Sequence, residues 1–122
     1  MMEPDQIRRW LVSSVEVLAS PAARQFAYLS DLGPRTGVRL GANVDELALE
    51  FDAYYAPAAP IMDELGWSGA IENALALLNA QLSSMSGQAN ASLWTTDAVV
   101  FAPDWANVRE LATVALDVMT EG

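Results

Sequence analysis

Gly69-Ala70-Ile71-Glu72-Asn73-Ala74-Leu75-Ala76-Leu77-Leu78-Asn79-Ala80-Gln81-Leu82-Ser83-Ser84-Met85 is the stretch whose reading decides the fold. Ile71, Leu75, Leu78, Leu82 and Met85 recur at alternating steps of four and three. That spacing lines them up along one stripe of an α-helix, whereas on a strand they would scatter over both faces. Ser68-Gly69 marks the start and Ser86-Gly87 the stop. An amphipathic helix needs a surface to bury its stripe against, so the neighbouring segments must supply one.

They carry the same period. Ile7, Leu11, Val15 and Leu18, with Trp10 beside them, predict a first helix over Pro4 to Ala19, with Arg9, Ser13 and Glu16 opposite. Ser20-Pro21 reads as an N-cap followed by proline at the first helical position, opening a second helix that ends at Gly33-Pro34. Gly33 to Gly41 reads as a loop, with Val38-Arg39-Leu40 as a short extended piece. Asn43 with Glu46 three residues on resembles a capping box and starts a third helix to about Tyr55, buried along Val44, Leu47, Phe51, Tyr54 and Tyr55. Pro57 and Pro60 interrupt the chain. Pro60 to Leu65 then makes a short helix closed by Gly66. Gln88 to Ser92 reads as polar loop, and Leu93 to Phe101 as a short helix, since a strand there has nothing to pair with. Pro103-Asp104 caps a last helix from about Trp105 to Met119, lined by Val108, Leu111, Ala115, Val118 and Met119. The expectation is an all-α fold: a compact single-domain bundle of about five to six helices over residues 1–122, with no substantial sheet.

Composition narrows the chemistry. Cysteine, histidine and lysine are absent, which removes disulfides, the common zinc ligand sets and the usual bases for a serine nucleophile. No Gly-x-Ser-x-Gly elbow occurs. The carboxylate pairs Asp45/Asp52 and Asp63/Glu64 are generic, and a small helical domain seldom supplies the cleft a glycosidase needs. Three glycines with Arg35 and Arg39 decorate the 33–41 loop, but the Gly-Lys-Ser/Thr ending of a phosphate loop is missing. The reading is therefore not an enzyme, with no cofactor and no metal assigned. The enzymatic alternative is a carboxylate and divalent-cation site on Glu46, Glu50 and Glu72. No apolar run reaches membrane-spanning length, and the acidic start Met1-Met2-Glu3-Pro4-Asp5 is unlike a signal peptide, so a cytoplasmic location is expected.

Charge is the one feature that bears on partners. The formal charge of −10 divides as about +1 for residues 1–39, −9 for 40–108 and −2 for 109–122. No cation lies between Leu40 and Val108, an interval holding Asp45, Glu46, Glu50, Asp52, Asp63, Glu64, Glu72, Asp97 and Asp104. Asp45, Glu46, Asp63, Glu72 and Asp104 fall at predicted helix starts, where a carboxylate meets the positive end of the helix dipole. Such a surface repels nucleic acid and suits a basic protein partner. On the third helix Leu47 and Phe51 point inward. Asp45 and Asp52 share one outer flank, Glu46 and Glu50 the other, and Leu49 lies between them facing out. Glu46, Leu49, Glu50 and Asp52 are thus the candidate partner-binding residues. Of the tryptophans, Trp10 and Trp105 are expected in the core, and Trp67 and Trp94, in connections, are the better interface candidates.

The functional expectation is a small acidic protein-binding module. Its sharpest form is an inhibitor or immunity-type protein that neutralises a basic, nucleic-acid-handling partner. The alternative is a structural or oligomeric helical domain, and the high apolar content (52%) is consistent with a homodimer face.

Overall fold

Four helices carry the core, and their order in space follows from which faces are apolar. The computed structural model describes residues 3–36, 44–67 and 69–120, the side chains of 30–36 excepted. Helix α1 is Pro4–Ala19, α2 Ala22–Thr36, α3 Asp45–Ala58, α4 Gly69–Ser84, α5 Thr96–Phe101 and α6 Pro103–Thr120; 3-10 turns cover Ala59–Ile61 and Gln88–Trp94. The chain is 84% helical with no strand among the described residues, an all-α fold. Helix α6 packs on both α1 and α4, and α1 packs in turn on α3, giving the order α3–α1–α6–α4. Two-sided burial of α6 needs small side chains, and Ala112 and Ala115 are fully buried there beside Trp105 and Val108.

The α4 stripe is as its spacing predicts: Ile71, Leu75, Leu78, Leu82 and Met85 are all buried. So are Ile7, Leu11, Val15 and Leu18 on α1. On α6 the buried line is Trp105, Val108, Ala112 and Ala115, while Leu111, Val118 and Met119 are only half-buried. Truncating a buried leucine such as Leu78 to alanine costs about 2–5 kcal/mol in a core of this kind.

Several local expectations are corrected. Ser20 does not cap α2: its hydroxyl donates back to the Glu16 carbonyl at 2.7 Å, and its backbone is the C-cap of α1. The first turn of α2 instead hangs from the Pro21 carbonyl, which accepts from Arg24 and Gln25. Helix α2 runs through Gly33 and Pro34 to Thr36, beyond the predicted stop. Pro57 lies inside α3, whose last turn continues to Ala58. Only one main-chain bond is lost there, and the Ala53 at its other end is exposed to water. Residues 88–94 form a 3-10 turn and not an open loop, because two indoles pin them: Trp94 donates to the Met85 carbonyl at 2.7 Å and Trp105 to the Leu93 carbonyl at 2.6 Å. The cap of α5 is Thr95, whose hydroxyl accepts from the Ala98 amide. Asp97, not Asp63, belongs with the acids in helix first turns. Asn43 and the 38–40 piece lie outside the described residues, and no side-chain cap is present at Val44.

The short helix expected over Pro60 to Leu65 is a 3-10 turn at Ala59–Ile61 followed by hydrogen-bonded turn, and Gly66 closes it as anticipated. Its φ of +74° is left-handed, and the amides of Gly66 and Trp67 return to the carbonyls of Asp63 and Met62. This is the Schellman pattern, which a residue with a Cβ adopts only with strain. The carbonyl of Leu65, just before the glycine, accepts from the guanidinium of Arg8 on α1.

Candidate functional site: the outer face of α3

Helix α3 is anchored by Leu47, Phe51 and Ala58, each at most 2% exposed. At about 100° per residue, this inner line leaves Leu49 pointing almost straight outward. Leu49 is 57% exposed, as its position predicts. Asp45 and Asp52 are exposed on one flank, and Glu46 and Glu50 are half-buried on the other. Helical geometry therefore keeps the four predicted residues on the outer half of one helix, with the leucine as crest and the carboxylates divided on either side.

The two flanks end in different aromatic contacts, which the sequence does not reveal. Glu46, Glu50 and Tyr54 form an i, i+4 row along α3. Tyr54 meets Trp10 of α1 edge to face, with ring centroids 5.3 Å apart and planes at 70°. Trp10 is not the core residue expected of it: it is 39% exposed, because α3 covers only part of the indole. On the other flank Tyr55 stacks on Phe51 at 5.1 Å and 14°. Burial, and then the charge of Glu50, raise the Tyr54 phenol above its ordinary value; burial and then Glu72 do the same for Tyr55.

Trp105 is fully buried as expected. Trp67 and Trp94, the interface candidates, are half-buried against the core. Trp94 is committed to structure by its bond to Met85 and an edge contact on Trp105, with centroids 5.4 Å apart. Among the described residues no group of three or more acids is close enough to hold a metal ion, so Glu46, Glu50 and Glu72 are not assembled into a cation site. No helix of the described residues is long and apolar enough to cross a membrane.

A concavity of about 710 Å³, open to solvent, lies between α1, α2 and α6. Its walls include Ser13, Glu16, Arg24, Tyr28 and Thr113. The Thr113 hydroxyl is occupied with the Arg109 carbonyl at 2.8 Å, and the opposed charges of Glu16 and Arg24 favour no ligand of one sign.

No family model, no curated protein and no solved structure matches this chain.

Proposed function

We propose that the protein is a small acidic binding module whose α3 outer face, Glu46, Leu49, Glu50 and Asp52, receives a protein with a basic surface. The observation that carries this is Leu49, 57% exposed between carboxylates in a stretch without a single cation from residue 41 to 108. An exposed leucine supplies desolvated contact area, and the carboxylates around it steer a positive partner and set the register. In its sharpest form the module is an inhibitor or immunity-type protein whose carboxylates take the place of nucleic-acid phosphates on a nucleic-acid-handling partner. A cytoplasmic setting belongs to the same reading.

Affinity capture from the native host at low and at physiological salt tests it. The reading expects a basic protein to be retained at low salt, weakened at higher salt, and lost from an E46Q/E50Q/D52N variant. Capture that ignores both salt and the variant, or that yields no basic protein, ends it.

A second reading, an oligomeric helical domain, is supported by Phe101, 81% exposed next to Val100 at 44%. Light scattering at high concentration decides it: a dimer that Phe101→Ser dissociates supports this role, and a monomer throughout removes it.

A further inference from the structure

Trp10, Trp94 and Trp105 differ in how their indoles are used. Trp94 and Trp105 each donate the ring N–H to a backbone carbonyl and lie against each other. Trp10 makes no such bond among the described residues, keeps 39% of its surface in water, and meets the Tyr54 ring edge to face. An indole exposed in this way and held by a second ring is a recognition surface in waiting.

We propose that Trp10 and Tyr54, with Glu50 one helical turn before Tyr54, seat a single arginine side chain of the partner protein. This rests on the reading of the α3 face as a binding surface and names its recognition element. The charge at the seat selects the occupant. Glu50 is i, i+4 from Tyr54, so their Cβ atoms are about 5–6 Å apart, and Glu46 continues the row one turn further. An anion is repelled from this flank. A neutral apolar group gains ring contact but leaves the carboxylate unused. A guanidinium uses both: it is planar, weakly hydrated, stacks on aromatic rings and offers paired donors to a carboxylate. The more strongly hydrated lysine ammonium does each of these less well. Among the described residues, the two arginines next to Trp10 in sequence do not take the seat. Arg8 is committed to the Leu65 carbonyl, and Arg9 projects about 100° around α1 from Trp10. The field of Glu50 at the Tyr54 phenol is a second sign that the two groups share one locality.

The test is an NMR titration of the whole protein, following the Trp10 indole and Tyr54 ring signals, with three blocked tripeptides differing only in a central arginine, lysine or citrulline. Citrulline keeps the shape of arginine without its charge. The proposal expects saturable shifts at both residues with the arginine peptide, binding about threefold or more weaker with lysine, and none with citrulline. E50Q should weaken the arginine peptide about three- to tenfold, while E72Q, beside Tyr55, should leave it unchanged. Equal shifts with citrulline, an unaltered affinity in E50Q, or shifts that map elsewhere overturn it.

Failure of the seat is distinguishable from failure of the surface. If partner capture is lost in the triple acid variant yet is unchanged by Trp10→Leu and Tyr54→Phe, both checked for native helicity, the surface stands and the seat is wrong. If capture ignores the acids, the surface is wrong, and the peptide titration still decides the seat.

Discussion

Arg109 donates through Nη1 to the side-chain carbonyl of Gln25, 3.3 Å away and 84 residues earlier in the chain. The same nitrogen donates to the Val99 carbonyl at 2.9 Å, and the Gln25 amide donates onward to Val17 and Leu18 at 3.2 and 3.1 Å. These carbonyls belong to the last turns of α5 and α1. Helices α1, α3, α4, α5 and α6 have no basic residue in their own last turns. Local amides such as those of Ser20, Ala59 and Ala102 serve some of their last carbonyls, and others take donors from elsewhere in the chain. Gln25 and Arg109 close α1 and α5, Trp94 and Asn90 close α4, and Arg8 closes the turn at Leu65. The scarcity of cations in the chain is thus met by spending two of the six arginines on helix ends.

Gln25→Leu tests that arrangement. Gln25 is 0% exposed, so leucine fits the volume but strands the Leu18 carbonyl and takes one acceptor from Arg109, while the Val17 carbonyl keeps the Ser20 amide. A loss of about 1–3 kcal/mol is expected, read from urea unfolding. A loss below about 0.5 kcal/mol would mean that water satisfies these groups instead.

Two glycine substitutions should differ in sign. Gly66→Ala meets only Arg8 Nη2 at 3.8 Å, so its cost is the left-handed φ of +74°, about 1–2 kcal/mol. Gly69→Ala has nothing within 4 Å and starts a helix, so it should be neutral or stabilise by up to about 1 kcal/mol. Thermal unfolding of the pair reads the contrast, and equal effects would refute the Schellman assignment.

Trp105→Ala should cost about 3–5 kcal/mol, for it empties a fully buried site where α5, α6 and the 88–94 turn converge. Trp94→Phe, which keeps a ring but not the bond to Met85, should cost about 1 kcal/mol. Hydrogen exchange should show the Trp94→Phe loss concentrated in residues 88–94.

Alkaline pH should loosen α3. The Tyr54 and Tyr55 phenols are raised above 10.0 in the folded state, chiefly by burial and then by Glu50 and Glu72. A raised value means that folding favours the neutral phenol. That contribution is therefore complete below pH 10 and lost as pH climbs through the folded-state values. Ultraviolet titration should find Tyr54 closer to its ordinary value in E50Q, with Tyr55 unmoved. A Tyr54 titration identical in wild type and E50Q would contradict the placement of Glu50.

The helices on either side of the core were readable because their signal is local. The α4 stripe and the α1 stripe repeat a spacing that only a helix can bury, and Gly66 stands where a left-handed closure is needed. Leu49 was placed outward by the same geometry. What escaped the sequence depends on partners far along the chain. Gln25 belongs to a residue type that is usually exposed, and the approach of α1 and α6 gives it the partners that let it be buried. Ser20 could cap forwards or bond backwards, and the sequence does not distinguish the two. Trp10 sits at the edge of a buried stripe, so how much of it α3 covers is decided by packing alone. The acids of the candidate site were legible, but the Trp10–Tyr54 pair beside them was not.

An acidic α3 face that receives a basic partner is tested most directly by association kinetics with the captured partner across ionic strength. Carboxylate steering predicts an association rate that falls at least about tenfold between low and physiological salt, and a nearly flat dependence in the E46Q/E50Q/D52N variant. A rate indifferent to salt in the wild type, or a variant that retains the full salt dependence, would contradict it.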